Sequence, residues 1–368
     1  MLKPFWRVET AFFLGIWLVL MIAGRSDLFK DPGTFWHTVV GRQILSSREF
    51  PTADVYSFTH AGEPWIAHQW LGECAMAVIH QAGGLDSLLL ATATLLAGLY
   101  TWVAHRLLRV GMHPLLALLL TTLTILASSY HFHPRPHLIS IVLMGLTYAW
   151  LCDFEAGRIS LSRLAWLVLL FLIWTNVHGG MLGGLATLVL AWCGWIAARA
   201  LGKESPLTSR SAILGTAAVI VACAASMFLN PYGKAIPAVW VAVMDSQVVS
   251  QFIDEHAPIR LTGVSSLLVF PLAMVYGATL AATLPKWPRV TWLIPVVWFV
   301  LACTRVRHGP LFAIAALIGL GEMFPYWRRP QWLATLGWTT LDIQPVSTDS
   351  RSRGDFRSLW KSMLIPVA

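Results

Sequence analysis

Apolar segments close to the length that crosses a lipid bilayer recur along almost the whole chain. About ten can be placed, near residues 8–24, 84–107, 114–130, 138–152, 164–178, 180–200, 211–229, 264–283, 291–304 and 310–324. A transmembrane helix needs roughly 20 mostly apolar residues, and a bilayer admits only helices or closed barrels because every backbone polar group must be satisfied. We therefore predict an all-α, polytopic transmembrane protein. Only 12% of the residues are charged, about half the share in soluble domains.

The basic residues indicate how such a chain would be oriented. With a cytoplasmic N-terminus, most of the 26 lysines and arginines fall in loops on the inner side, as the positive-inside rule requires. The C-terminus is then also cytoplasmic, and the net charge of +8 needs no nucleic acid to explain it. Two long loops, at about 25–83 and 230–263, and every histidine except His105 and His113 lie outside. Ionisable groups at membrane depth favour a functional interpretation, so we expect a site on the outer face.

The first outer loop contains two predicted amphipathic helices, at 31–46 and at about 66–80, which would lie in the membrane interface. Asp31 stands immediately before Pro32, where a carboxylate suits the positive end of the helix dipole. Asp31 is therefore either a simple helix cap or a functional carboxylate.

Several stretches of this loop form a pattern: Asp31-Pro32-Gly33-Thr34-Phe35-Trp36-His37, Gly41-Arg42-Gln43-Ile44-Leu45, Pro51, Asp54, Ser57-Phe58-Thr59, Trp65 and His68-Gln69-Trp70-Leu71. The pattern resembles the first outer loop of GT-C type glycosyltransferases, in particular a bacterial branch. These membrane enzymes use polyprenyl-phosphate sugars as donors and a carboxylate of this loop as general base. Weaker agreement continues to about residue 325, at Arg135-Pro136-His137, at 174–180, at 230–233 and at 307–312.

The resemblance implies a GT-C-like domain over 1–324 that lies in the bacterial inner membrane. A short basic tail at 325–368 would follow it on the cytoplasmic side. It implies transfer of a sugar from a polyprenyl-phosphate donor to an extracytoplasmic acceptor, with Asp31, Asp54 and Glu73 as candidate catalytic acids. Two acids common in the family are replaced here, by Gly33 and Gln69. No metal site or cofactor is therefore assigned, and a divalent metal and the activity itself remain open.

The departing lipid phosphate requires positive charge. Arg135, Arg305 and Arg307 lie at the outer ends of different predicted spans, and a guanidinium matches phosphate geometry; the alternative is that they only reach for lipid headgroups. Candidates for binding the lipid phosphate or the sugar are His37, His68, Arg135, His137, Asn176, His178, Glu255, Arg305, Arg307 and His308.

Some of these candidates have an equally simple structural interpretation. Asn176 and His178 would then be only the polar lip of a helical hairpin at Gly179 and Gly180, and Glu255 a solvated loop charge. The alternating histidines at 131–137 lack further ligands nearby in sequence, which favours hydrogen bonding or phosphate contact over metal binding.

A second function class fits the same sequence. A non-catalytic scaffold or assembly subunit on this fold would explain the missing acids, whereas Asp31 and the arginines favour the enzyme. A lipid or polymer transporter is less favoured, because the inner halves of the predicted spans carry few ionisable residues. The expected partners are membrane lipids, a polyprenyl-phosphate sugar, and an extracytoplasmic acceptor or partner membrane subunits, without nucleic acid.

Overall fold

A computed structural model describes residues 8–246, 254–259, 263 and 267–327. Within these ranges the chain is helical and contains no strand, only an isolated bridge between Ala53 and Pro64. In chain order the α-helices are α1 Val8–Ile22, α2 Arg25–Leu28, α3 Gly33–Ser47, α4 Trp70–Arg109, α5 Pro114–Ser128, α6 His137–Glu155, α7 Leu161–Leu164, α8 Leu167–Val177, α9 Met181–Ala200, α10 Arg210–Ala225, α11 Ala235–Asp245, α12 Val269–Ala282, α13 Val290–Thr304 and α14 Gly309–Met323.

The predicted all-α membrane architecture is confirmed at this level. Among the described residues, six helical stretches are long and apolar enough to cross a membrane: 70–109, 114–131, 137–155, 181–200, 210–228 and 306–326. Shorter apolar helices occupy 8–22, 161–177, 235–245, 269–282 and 290–304. Helix α4 begins well before the predicted segment 84–107, and α11 matches none of the predicted segments. The other apolar helices coincide with the predicted segments to within a few residues, and the number of crossings stays a prediction. Most of the tail, from residue 328 onward, and parts of the loop at 230–263 lie outside the described residues.

Helix α14 forms the centre of the bundle and is buried along its whole length. Its neighbours include α4, α5, α6, α12 and α13. Small residues allow this close packing: a β-carbon at Gly319 would lie 2.8 Å from the hydroxyl oxygen of Tyr276. A helix that is apolar on all sides is expected in the interior.

One end of the bundle is held by a four-charge network. Arg106 of α4 donates from Nη1 and Nη2 to both carboxylate oxygens of Asp153, at 3.1 and 2.8 Å, and from Nη2 to Glu322 at 3.0 Å. Arg158 contacts the same two acids at 2.7 and 2.6 Å. Arg106 and Arg158 were both predicted to lie on the inner side, and the network brings them together at one end of the bundle.

The first outer loop packs onto the start of α4. A β-carbon at Gly41 of α3 would lie 1.9 Å from the backbone oxygen of Glu73, so the two helices cross in direct backbone contact. The predicted helix at 66–80 is not separate: it begins at Trp70 and continues into the next apolar segment across a kink at Gly83 and Gly84, where φ of Gly84 is +65°. Glycine tolerates a positive φ, and the non-helical backbone at Gly83 and Gly84 together separates the two parts of the helix.

Helix α3 differs in one respect from the expected single apolar stripe. Val40 and Ile44 are buried, but Phe35, Trp36 and Val39 are exposed. The buried face is completed by Thr34, His37, Thr38 and Gly41.

Candidate functional site

The polar candidate site lies at the end of the bundle opposite the four-charge network, where several connections meet. These are the segment before α3, the turn from α5 to α6, the turn from α8 to α9, the turn from α13 to α14, and the short 3₁₀ turn Asp254–His256. The Tyr130 hydroxyl donates to the backbone oxygen of Val306 at 2.7 Å, which ties two of these turns together.

Asp31 and Arg135 form the central ion pair. Arg135 Nη1 lies 2.7 Å from Asp31 Oδ2, and the Gly33 backbone N–H donates to Asp31 Oδ1 at 2.6 Å. Burial alone would raise the pKa of Asp31, but the charge of Arg135 and these hydrogen bonds outweigh it and hold the pKa below its ordinary value. Asp31 is therefore ionised at neutral pH.

Arg135 also contacts a second carboxylate. Its Nη1 lies 3.3 Å from Glu255 Oε1, and His131 Nδ1 lies 3.7 Å from the same oxygen. Arg135 Nε and His131 Nδ1 are both buried without a hydrogen-bond partner among the described residues. The site thus holds more polar nitrogens than its two carboxylates satisfy, which is costly unless another acceptor binds there.

Three histidines form a row beside Arg135. The ring centroids of His131 and His137 are 4.2 Å apart, and those of His137 and His178 are 6.3 Å apart. His178 Nδ1 accepts the Gly180 backbone N–H at 2.9 Å, so in the neutral ring Nε2 carries the proton. Burial, followed by the charge of Arg307, keeps the pKa of His178 well below its ordinary value. A neutral ring can donate from Nε2 without adding charge.

Arg307 is the second cation of the site. Its Nη1 contacts Nε2 of His256, and no carboxylate among the described residues lies within ion-pair distance of it. Burial, then the charge of Arg307, lowers the pKa of His256 to about 4, so this histidine accepts a hydrogen bond as a neutral ring. Arg307 is therefore a partly buried cation that has no ion-pair partner among the described residues, although the charge of Glu255 acts on it.

A second polar cluster lies between α3 and α4. His37 Nδ1 is 2.9 Å from Glu73 Oε1, and both side chains are buried. Glu73 Oε2 has no hydrogen-bond partner among the described residues. Nearby, His68 Nε2 lies 3.0 Å from Gln69 Nε2, and burial, with the charge of His37, lowers the pKa of His68 to about 4. The side chain of Gln69 thus contacts His68, which is itself a candidate site residue.

Four predicted candidates make other contacts. Asp54 accepts hydrogen bonds from Tyr56 and Ser57 within its own turn. Asn176 is held by Trp70, Leu172 and Leu229. Arg305 donates to the backbone oxygen of Met244, and His308 lies on Trp298 and near the backbone oxygen of Leu301. Their predicted roles stay predictions, and the contacts of Asp54 and Asn176 are those of turn and helix anchors.

An apolar groove adjoins the ion pair. It has a volume of about 670 Å³ and is lined by Pro32, Gly33, Phe35, Trp36, Val39, Val55 and Tyr56. Gly33 belongs to both features, since a β-carbon there would lie 2.8 Å from Asp31 Oδ1 and 3.0 Å from Arg135 Nε. The space in which any side chain at position 33 would begin is therefore occupied by the ion pair itself.

Three residues outside the list of candidates also belong to this region. The sequence had suggested hydrogen bonding or phosphate contact for His131 and either a solvated charge or closure over the site for His256, and it had assigned no role to Ser140. His131 and His256 contact Glu255 and Arg307, and Ser140 links His178 to Trp174, at 2.8 and 2.7 Å. A helical spacing of three residues from His137 to Ser140 was the available signal for Ser140. Adjacency to Glu255 was the signal for His256.

Among the described residues, no group of three or more histidine, cysteine or acidic side chains is arranged to hold a metal ion. Comparison with known proteins adds no assignment: no family model, curated protein or solved structure matches the chain.

Proposed function

We propose that this protein is an integral membrane glycosyltransferase that moves a sugar from a polyprenyl-phosphate donor to an extracytoplasmic acceptor. The observation that carries the proposal is the junction at Gly33, where an apolar groove meets a cluster of cations. A donor of this class has the same two parts, an apolar chain and an anionic phosphate. The GT-C-like fold, the ten spans and the cytoplasmic termini predicted from sequence are part of this proposal.

Asp31 is the general base in the proposed reaction. Its ionised carboxylate takes the proton of the acceptor hydroxyl as that oxygen attacks the anomeric carbon. The bond between this carbon and the phosphate oxygen breaks, and the electron pair leaves with the lipid phosphate. Arg135 and Arg307 stabilise the charge that develops there. Donor binding would draw Arg135 from Asp31 toward the phosphate and thereby make the carboxylate a stronger base.

One observation supports the alternative function, a non-catalytic scaffold. Asp31 and Glu255 both already contact Arg135, as in a structural polar cluster. In a scaffold, the exposed apolar face of α3 would bind another membrane subunit. The two proposals differ in what happens when the charge of Asp31 is removed.

The decisive experiment is a transfer assay in nanodiscs with radiolabelled polyprenyl-phosphate sugars, run on wild type, Asp31→Asn and Arg307→Ala. Transfer by the wild type that is lost in both variants supports the enzyme. Absence of transfer by the wild type with every donor tested would favour the scaffold.

Orientation has its own test. Single cysteines at Ser47 and Ser350, introduced after removal of the five native cysteines, are treated with a membrane-impermeant reagent in intact cells. We expect labelling at 47 only. Labelling at 350 from outside would refute the orientation and the extracytoplasmic acceptor together.

A further inference from the structure

Glu255 occupies a distinctive place in the candidate site. It contacts Arg135 at 3.3 Å and His131 Nδ1 at 3.7 Å through the same oxygen. The next residue, His256, contacts Arg307. The Glu255 carboxylate thus contacts nitrogens of one arginine and one histidine, and its charge also acts on the nearby Arg307.

The contacts around Glu255 are incomplete. Both distances exceed the roughly 2.7–2.9 Å of a good charge-assisted hydrogen bond. Arg135 Nε and His131 Nδ1 remain buried without hydrogen-bond partners, and no acid among the described residues lies within ion-pair distance of Arg307. A carboxylate has two oxygens in one plane, whereas a phosphate offers three or more in a tetrahedral arrangement. A phosphate could therefore satisfy nitrogens that Glu255 leaves unpaired.

We propose that Glu255 is an internal competitor for an anion site, filling with its carboxylate the position that a phosphate group takes between Arg135, His131 and Arg307. Binding is then an exchange in which the phosphate displaces the carboxylate from Arg135. This inference deepens the proposed function and rests on it for the identity of the natural ligand, a lipid-linked phosphate.

The exchange predicts an unusual direction of effect. Removing an acidic residue from a site ordinarily lowers binding of a ligand that it contacts, but Glu255→Gln should raise affinity for phosphate. The substitution keeps the size of the side chain and removes the charge that both competes for Arg135 and repels the incoming anion. We expect affinity for dodecyl phosphate to rise about tenfold at low ionic strength, with a smaller gain at high salt.

The experiment measures binding of dodecyl phosphate and of inorganic phosphate to the purified full chain in nanodiscs, by intrinsic tryptophan fluorescence. Glu63→Gln is the matched control, because Glu63 is exposed and contacts only His60 in an ion pair. Arg307→Ala should weaken both ligands. Tighter binding of dodecyl phosphate alone would identify a lipid headgroup as the ligand, and equal gains for both would identify free phosphate chemistry.

Unchanged or weaker binding in Glu255→Gln would overturn the proposal. Should that variant unfold, Glu255→Asp keeps the charge but withdraws it by one methylene. It should give a smaller gain in the same direction, and no gain would again refute the exchange. Binding does not depend on turnover, so tighter binding without any sugar transfer would refute the glycosyltransferase and leave the anion site standing. Transfer with unaltered binding in Glu255→Gln would refute the exchange alone.

Discussion

Asp31→Asn is the most informative substitution because the structure gives the residue two opposing roles. The carboxylate lies 2.7 Å from Arg135 Nη1 and also accepts the Gly33 N–H. An asparagine oxygen still accepts that N–H but no longer carries the charge. A charge-assisted hydrogen bond contributes about 1.5–3 kcal/mol, and the pair is partly exposed, so we expect the free energy of unfolding to fall by about 1–2 kcal/mol.

The catalytic effect should be much larger and should split between the two kinetic constants. Loss of a general base lowers kcat by about 10²–10⁴-fold. At the same time Arg135, released from Asp31, is available to the donor phosphate, so KM for the donor should fall by about tenfold. A lower kcat together with a lower KM is not the signature of general misfolding.

The assay is sugar transfer in nanodiscs over a range of donor concentrations, with thermal unfolding measured on the same samples. Asp86→Asn is the control, since Asp86 pairs with Arg25 at the exposed surface. Unaltered kcat in Asp31→Asn would remove Asp31 as the base. A raised KM would refute the idea that Asp31 and the donor compete for Arg135.

Three further predictions follow from the geometry. Arg307→Ala should raise KM for the donor and lower kcat, each by roughly ten- to a hundredfold. Arg307→Lys keeps the positive charge and should restore part of kcat. An equal loss of kcat in the two variants would indicate that Arg307 has only a packing role. In the folded protein the pKa values of His68 and His256 are about 4, below the unfolded value of about 6.5. As the pH falls from 6.5 towards 4, the unfolded chain therefore binds protons before the folded chain does, and the melting temperature should decline. A melting temperature that does not change over this pH range would contradict the burial of these two histidines as neutral rings. Gly41→Val should separate α3 from the Glu73 backbone and abolish transfer, measured beside Gly98→Val, where a β-carbon meets nothing within 4 Å.

The sequence predicted the helices well because bilayer-length apolar runs permit few alternatives. The sequence also placed five polar residues at one end of the helical bundle: Asp31, Arg135, His137, His178 and Arg307. Successive spans run in opposite directions, so every second turn lies at the same end. The ion-pair partners of these residues could not be predicted from the sequence. Nothing in the local pattern links Arg135 to Glu255, which lies 120 residues away.

Helix α3 shows a second kind of limit. Helical periodicity predicted one apolar stripe, but Thr34, His37 and Gly41 are buried. His37 and Gly41 lie against Glu73 of α4, while Phe35, Trp36 and Val39 remain exposed. Periodicity gives the faces of a helix but not which face meets protein. The kink at Gly83 and Gly84 was missed for a related reason: a glycine pair predicts a break, and here the helix resumes in a new direction.

The four-charge network at the other end has a consequence for biogenesis. Arg106 and Asp153 emerge from the ribosome early, Arg158 shortly after, and Glu322 only with the last described helix. Because synthesis proceeds from the N-terminus, a nascent chain without α14 carries two of these arginines against one carboxylate. In the proposed orientation, this surplus cation favours retention of this end on the cytoplasmic side. Arrival of Glu322 then neutralises the cluster and draws the central helix into place, so insertion of α14 would serve as the closing step of assembly.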